Sequence, residues 1–201
     1  MKPVVALDID GTLSDYHTWF LQFAELYLGR PMPPANQNTD GVPLYKWMGV
    51  SKTTYREVKL AYRQGGMKRS MPCYRGAADL SRSIRKAGAE VWICTTRPYL
   101  RLDNIDPDTR HWLRRNHIQY DAVLFGHNKY RDLVKNVGRE QVVAVLDDLP
   151  EMIQQAKQVS TCLPILRDQP YNRYSPHLPR VAGMEEAKTV ILEGIKKWRC
   201  R

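Results

Sequence analysis

Short apolar runs alternate along the chain with segments whose apolar residues recur every three or four positions. The apolar runs are VVAL at 4–7, EVWICT at 90–95, DAVLF at 121–125, VVAVLDD at 142–148 and CLPIL at 162–166. Runs of this length, rich in Val, Ile and Leu, are typical of strands buried on both faces of a parallel sheet. Because helical segments separate them, we predict an α/β fold with a Rossmann-like, doubly wound parallel sheet.

Helix signals fill the spaces between these runs. A helix over 106–118 is predicted to open with Asp106 as N-cap and Pro107 in the first turn. KYRDLVKNV stops at Gly138, and PEMIQQAKQV starts at Pro150, a residue favoured in a first turn. Two further helices are indicated by apolar residues at helical spacing: Ala77, Leu80, Ile84 and Ala87 in one, and Ala187, Val190, Ile191 and Ile195 in the other.

One long segment interrupts this rhythm. After the first strand, WFLQFAELYL at 19–28 predicts a helix, and GRPMPPANQNTDG at 29–41 then breaks the regular pattern. We therefore expect a helical cap at 17–75, inserted after the first strand and lying over the carboxyl edge of the sheet. Residues 1–16 and 76–201 would form the α/β core domain.

Composition narrows the class of protein. The N-terminus, MKPVVALDID, lacks the pattern of a signal peptide, and the chain has no run of about 18 apolar residues, so we expect a cytoplasmic protein without membrane contact. The four cysteines show no CxxC spacing, so we read them as reduced thiols. The net charge of +10 favours phosphorylated or polyanionic partners, nucleic acid among them. Oligomeric state is left open.

Polar residues stand where the predicted strands end. The carboxyl ends of parallel strands meet at one edge of a sheet, which is where open α/β sheets bind ligands. Carboxylates crowded there repel one another unless a cation neutralises them, and hard oxygen ligands suit Mg²⁺. Lysine and threonine side chains would supply donors for a phosphoryl group. The residues concerned are Asp8 and Asp10, Thr95 and Thr96, Asn128 and Lys129, and Asp147 and Asp148.

The first pair suggests a division of labour. One carboxylate can attack phosphorus while its neighbour, two residues on, handles the proton. Asp8 would be the nucleophile and Asp10 the general acid and base. The alternative is structural: Asp10 and Gly11 mark a turn, and the acidic pair at 147–148 caps the next helix. Arg97 directly follows the two threonines, and its planar fork suits phosphate oxygens.

The four motifs together resemble a known superfamily. DIDGTLSD, ICTT, a lysine ahead of a helix, and VLDD, in that order, are similar to the signatures of the haloacid dehalogenase superfamily, most of whose members are Mg²⁺-dependent phosphatases. The resemblance implies an aspartyl-phosphate intermediate on Asp8 and phosphate binding by Thr95 and Lys129. It also implies that Mg²⁺ is held by Asp8, the Asp10 carbonyl and the Asp147/Asp148 pair. It further implies a central motif I strand beside the motif II and motif IV strands.

A closer likeness concerns the substrate. DIDGTLSDY, EVWICTTRP and LPILRDQPYNR resemble the 5′(3′)-deoxyribonucleotidases, which carry a helical cap after the first motif. The resemblance implies dephosphorylation of (deoxy)nucleoside monophosphates. This chain departs from the animal enzymes at Thr12, where they have valine, and in TTRP, where they have TSP. The predicted cap is rich in aromatic residues that could stack on a base, and we single out Tyr16 and Trp47 for that contact.

Two alternatives stay open. TTRPYLRLDNIDPDTRHWLRRNHIQYD also looks like the phosphatase half of phage-type polynucleotide kinase/phosphatases, which would make the chain a polynucleotide 3′-phosphatase; a GxxxxGK[ST] kinase loop is absent. The less favoured alternative is a non-catalytic nucleic-acid-binding protein. A basic stripe at helical spacing either faces phosphate or is solvated, and it comprises Lys52, Arg56, Lys59 and Arg63. No metal role is assigned to His111, His117, His127 or His177.

Overall fold

A computed structural model describes residues 1–39, 41–98 and 101–200. A six-stranded sheet forms the centre, with strand order β3-β2-β1-β4-β5-β6 and parallel pairing throughout. The doubly wound parallel sheet is therefore confirmed, as is the central position of the first strand. The strands are β1 (Val4–Leu7), β2 (Glu90–Thr95), β3 (Ala122–Phe125), β4 (Val142–Asp147), β5 (Leu163–Arg167) and β6 (Arg180–Val181).

Helices cover both faces of the sheet. α4 and α8 pack together on one face, and α6 and α7 pack together on the other. Alternate residues of β1 serve the two cores, since Val5 and Leu7 belong to one cluster and Val4 and Ala6 to the other. The helices are α1 (Tyr16–Leu28), α2 (Leu44–Trp47), α3 (Lys52–Gln64), α4 (Ala77–Lys86), α5 (Ile105–Arg115), α6 (Lys129–Val137), α7 (Pro150–Val159) and α8 (Met184–Arg199).

Most predicted elements have the expected bounds, and the differences lie at the ends. α6 and α7 are as predicted, with Gly138 and Pro150 at the expected positions. α5 corrects the prediction, because Asn104 occupies the N-cap and Asp106 lies in the first turn. The strand β6 was missed because two residues are too short to give a periodic pattern.

The segment between β1 and α4 is helical, as expected. It contains α1, α2 and α3, and Asp15 caps α1 by accepting a hydrogen bond from the Thr18 backbone N–H. α1 begins at Tyr16, so the expected boundary between residues 16 and 17 falls one residue inside this helix. The predicted break at 29–41 contains only a 3₁₀ turn at Ala35–Gln37 in its described part, which leaves out Asp40.

The helical segment shares its core with the sheet. Phe20 of α1 and Val58 and Tyr62 of α3 are buried in the same cluster as Leu7 of β1. The end of this segment is tied to α5 by the Trp112 indole N–H, which donates to the Met71 carbonyl at 2.8 Å. This packing holds α1 and α3 beside the carboxyl end of β1.

Candidate active site

The strand order brings the predicted motifs to one edge of the sheet. β1 lies between β2 and β4, so Asp8, Thr95 and Asp147 follow or end three neighbouring strands. All three side chains are buried. Thr95 Oγ1 accepts a hydrogen bond from the Arg97 backbone N–H at 3.4 Å, so the TTRP segment turns back over its own strand end.

Three carboxylates form a cluster at this edge. Ligand oxygens of Asp8, Asp147 and Asp148 all lie within 4.8 Å of one another. Burial raises the pKa of Asp8 to about 7; the Lys129 charge opposes this rise, while the neighbouring Asp147 and Asp10 add to it. Burial and the charges of Asp147 and Asp8 also raise the pKa of Asp148 well above its usual range. An all-oxygen donor set that is destabilised as free anions fits a hard divalent cation such as Mg²⁺.

Lys129 stands inside this acidic cluster. Its Nζ lies 2.6 Å from Asp8 Oδ1 and 2.6 Å from Asp147 Oδ2, and the side chain is fully buried. Burial alone would lower the pKa of this lysine, but the Asp147 and Asp8 charges outweigh burial and hold the pKa above its ordinary value. The lysine therefore remains a cation next to the predicted nucleophile.

The Asp10 carboxylate points to a different set of partners. Arg97 forms a two-pronged ion pair with it, at 2.6 Å from Nη2 to Oδ1 and 3.1 Å from Nε to Oδ2. Lys68 also pairs with Asp10 Oδ2. Burial would raise the pKa of Asp10, but the Arg97 and Lys68 charges hold it well below its usual range. Any contribution of Asp10 to a metal site therefore rests on its main-chain carbonyl, as the resemblance implies.

The Arg97 guanidinium contacts a carboxylate and a hydroxyl group of the protein. From the sequence, we predicted that the Arg97 guanidinium binds phosphate oxygens. In the structure it pairs with Asp10 and donates from Nη1 to Thr109 Oγ1 at 2.9 Å. The side chain is 2% exposed. A planar fork matches a carboxylate as well as a phosphate, which explains the difference. Phosphate binding by Arg97 stays a prediction.

A 3₁₀ turn after β5 supports the acidic pair. Tyr171 Oη donates to Asp148 Oδ2 at 2.6 Å, and Thr12 Oγ1 donates to Asp148 Oδ1 at 3.0 Å. Asn172 Nδ2 donates to the Asp148 carbonyl at 2.8 Å. Both oxygens of Asp148 are thus held in fixed directions by groups from distant parts of the chain. The RDQPYNR motif, quoted for its family likeness, therefore belongs to the site.

Gly11 is required by the turn after Asp10. Its φ is +95°, in the region that favours glycine, and a Cβ there would collide with the Asp148 carboxylate and the Tyr171 hydroxyl. The turn predicted by the structural alternative is therefore present, but it lies against the acidic cluster. The other half of that alternative is not borne out: Asp147 accepts from the Leu149 backbone N–H at 2.9 Å, while no side chain among the described residues caps α7.

A cleft of about 200 Å³ opens between this edge and the helical segment. Tyr16, predicted to touch the base, lines it, as does Thr96, predicted to bind phosphate. Trp47 does not line the cleft; it lies at the end of the short helix α2 instead of in a loop, and packs against the core. Base contact by Trp47 stays a prediction that this cleft does not support.

Sequence reasoning missed two residues of this cleft. Lys68 is 3% exposed, pairs with Asp10 and lies 4.1 Å from the Tyr16 ring centroid. Burial lowers its pKa to about 7, although the Asp10 charge opposes the shift. His17 follows Tyr16, and its ring packs against the Tyr171 ring in a tilted arrangement, with 4.1 Å between the ring centroids and 40° between the ring planes. The sequence held no signal for Lys68, since nothing in it places residue 68 beside residue 10.

Solved structures with the same fold are haloacid dehalogenase-type hydrolases. A predicted phosphatase from Clostridium acetobutylicum matches with a TM-score of 0.66 and 13% identity, covering 96% of this chain and 99% of its own. A haloacid dehalogenase-like hydrolase from Streptococcus pneumoniae gives a TM-score of 0.65 and 14% identity, with 94% and 98% covered. CbbY from Rhodobacter sphaeroides, solved with phosphate, matches with a TM-score of 0.61 and 18% identity, covering 96% of this chain and 100% of its own.

Fold and site together define a phosphomonoester hydrolase of the haloacid dehalogenase superfamily. The family follows from a sequence model that matches residues 2–197, described as 5′ nucleotidase, deoxy (pyrimidine), cytosolic type C protein (NT5C). The chain belongs to this NT5C family. A search of curated proteins found no match. In the described part of the chain, no helix combines the length and apolar character needed to cross a membrane.

Proposed function

We propose that this protein is a Mg²⁺-dependent phosphatase that removes phosphate from (deoxy)nucleoside monophosphates through an aspartyl-phosphate on Asp8. One observation carries the proposal: the Asp8, Asp147 and Asp148 oxygens form one buried cluster, and the separately paired Asp10 lines a cleft beside it. Membership of the NT5C family supports a nucleotide as the substrate. Residues 17–75 are proposed to act as the cap that encloses it.

The metal is proposed to bind Asp8, the Asp10 carbonyl, and Asp147 or Asp148. When bound, Mg²⁺ would neutralise these carboxylates and the phosphoryl oxygens. Lys129 would contribute a fixed positive charge at the same place, and Thr95 and Thr96 would contribute hydroxyl donors to the phosphoryl group. Asp148 would be held in direction by Tyr171 and Thr12.

The reaction then divides between two carboxylates. An Asp8 oxygen attacks phosphorus, the bond from phosphorus to the ester oxygen breaks, and Asp10 gives its proton to the departing alcohol. Water next attacks the aspartyl-phosphate, Asp10 takes the proton from that water, and inorganic phosphate and free Asp8 are formed. The substrate dianion competes for Arg97 and Lys68, which raises the pKa of Asp10 toward the protonated form needed in the first step.

The test is phosphate release from dUMP, dTMP and dGMP with Mg²⁺ and with EDTA, using Asp8→Asn as the control. We expect turnover with Mg²⁺ alone and none from the variant. Full activity in EDTA, or in Asp8→Asn, would contradict the proposal.

A polynucleotide 3′-phosphatase is the second candidate, and one observation favours it. A second cleft of about 250 Å³ shares Arg63, Thr96 and Arg97 with the first and continues to Arg101 and His127. A basic, open extension suits a strand end. Each backbone phosphate contact steepens salt dependence, so this enzyme would lose orders of magnitude in apparent affinity between about 50 and 200 mM salt. A 3′-phosphorylated oligonucleotide compared with dUMP at both salts decides between the candidates.

A further inference from the structure

Cationic and polar groups that the chemistry above does not use line the cap side of the cleft. Lys59 and Arg63 are one turn apart on α3, and both are half-buried beside Tyr16 and His17. Asp10 lines the same cleft, so this set shares the cleft with the proposed acid and base. We refer to Tyr16, His17, Lys59 and Arg63 as the cap cluster.

The two cations of the cap cluster have no acidic partner in the described part of the chain. Among the described residues, neither Lys59 nor Arg63 forms an ion pair, and Arg63 Nε is buried without a hydrogen-bond partner. Lys59 Nζ donates to the hydroxyl of the neighbouring Tyr55 at 3.1 Å. Three other cations near the site differ in this respect: Lys68, Arg97 and Lys129 are all paired with aspartates.

The neutral members of the cap cluster are also unsatisfied. Tyr16 is 8% exposed, yet its hydroxyl has no hydrogen-bond partner among the described residues, and neither has His17 Nδ1. Burying a polar atom without a partner is unfavourable, so such groups point to a ligand that supplies one. The carboxylates of the same cleft, Asp10 and Asp148, already have their partners.

We propose that the substrate carries a second phosphate, which binds the cap cluster while the first meets Asp8. The proposal rests on the proposed phosphatase function and adds a substrate class: a nucleotide with phosphates on both sides of one sugar. The dianion would pair with Lys59 and Arg63 and accept hydrogen bonds from Tyr16 Oη and His17. A nucleoside 3′,5′-bisphosphate and a strand ending in a 3′-phosphate both offer this chemistry.

α3 offers a matched control for the experiment. Lys52 and Arg56 belong to the same basic stripe, but both are exposed and neither lines the cleft. Lys59→Gln/Arg63→Gln and Lys52→Gln/Arg56→Gln therefore remove the same charge from the same helix. The substrates are thymidine 3′,5′-bisphosphate, the 5′- and 3′-monophosphates, and a 3′-phosphorylated oligonucleotide, each measured as kcat/KM with Mg²⁺.

The bisphosphate should exceed either monophosphate in kcat/KM by about tenfold or more, the value of one charge-assisted hydrogen-bonded pair. Lys59→Gln/Arg63→Gln should reduce the ratio of bisphosphate to monophosphate kcat/KM to about one. Lys52→Gln/Arg56→Gln should leave this ratio unchanged. If the oligonucleotide has a higher kcat/KM than the bisphosphate, and Lys59→Gln/Arg63→Gln lowers that value, the second phosphate belongs to a nucleic-acid strand. Equal kcat/KM for bisphosphate and monophosphate, or a ratio that survives in Lys59→Gln/Arg63→Gln, would overturn the proposal.

Binding separates this proposal from the proposed function. Calorimetric titration of Asp8→Asn with thymidine 3′,5′-bisphosphate and with the monophosphates measures affinity without turnover. The bisphosphate should bind about tenfold tighter, and adding Lys59→Gln/Arg63→Gln should remove the difference. If no substrate is hydrolysed, the proposed function fails and this titration still decides on the second phosphate. Equal affinities would overturn it.

Discussion

The two sides of the active-site cleft differ in how completely their polar groups are paired. On the core side, Lys129 bridges Asp8 and Asp147, and Tyr171 fixes Asp148. On the cap side, Arg63 Nε and Tyr16 Oη are buried without hydrogen-bond partners among the residues that the structure describes. Full pairing holds reacting groups in one geometry before substrate arrives, whereas unpaired groups gain their partners from the substrate. This difference is what we expect if the core side carries out the proposed chemistry and the cap side recognises the substrate.

The largest effect should come from the centre of the core side. Asp8→Asn keeps the size of the side chain but removes the nucleophile, so we expect no measurable phosphate release. Circular dichroism and thermal unfolding show whether the variant is folded. Full activity in a folded Asp8→Asn protein would show that Asp8 is not the nucleophile and that the core side does not carry out the chemistry.

The second effect concerns proton transfer. Asp10→Asn leaves the acidic cluster intact but removes the acid and base, so turnover should fall by roughly 10² to 10⁴. The measurement is kcat with dUMP and with a substrate whose leaving group needs no proton. The loss should be smaller with the second substrate, and equal losses would assign Asp10 a role other than proton transfer.

The third effect concerns the metal. Asp147→Ala and Asp148→Ala should raise the Mg²⁺ concentration needed for half-maximal activity, because each removes an oxygen from the cluster. Tyr171→Phe removes one hydrogen bond to Asp148. It should raise the Mg²⁺ concentration needed for half-maximal activity by about 10- to 100-fold, the usual range for partners of metal ligands. A Mg²⁺ titration measures all three. An unchanged requirement in both alanine variants would make the acidic pair a purely structural feature.

The smallest effect should come from Lys68, where the two sides meet. Its charge stabilises the Asp10 carboxylate and holds the pKa of that group below its ordinary value. Lys68→Met removes the stabilisation, so the pKa of Asp10 rises. Because the first step needs Asp10 protonated, the alkaline limb of the pH–rate profile should move to higher pH by about one unit. Lys46→Met, at an exposed lysine of α2, is the control. A shift to lower pH, or none, would contradict the ion pair.

Most of the fold could be predicted from local patterns in the sequence. β2 and α6 could be predicted because burial imposes a residue period on each, and Gly138 and Pro150 mark helix ends through backbone restrictions that act within a few residues. The short strand β6 gave no such pattern, since its place depends on pairing with β5.

The motifs of the candidate site were also readable, because each reacting group follows its own strand and parallel strands end together. Asp8, Thr95 and Asp147 are of this kind. Tertiary structure alone decided the cap side of the cleft. Lys68 meets Asp10 across 58 positions, and Lys59 and Arg63 face the cleft while Lys52 and Arg56 of the same stripe face solvent. The rotation of α3 about its axis is set by the burial of Val58 and Tyr62 against the core, and helical spacing by itself does not specify which cations that rotation turns inward.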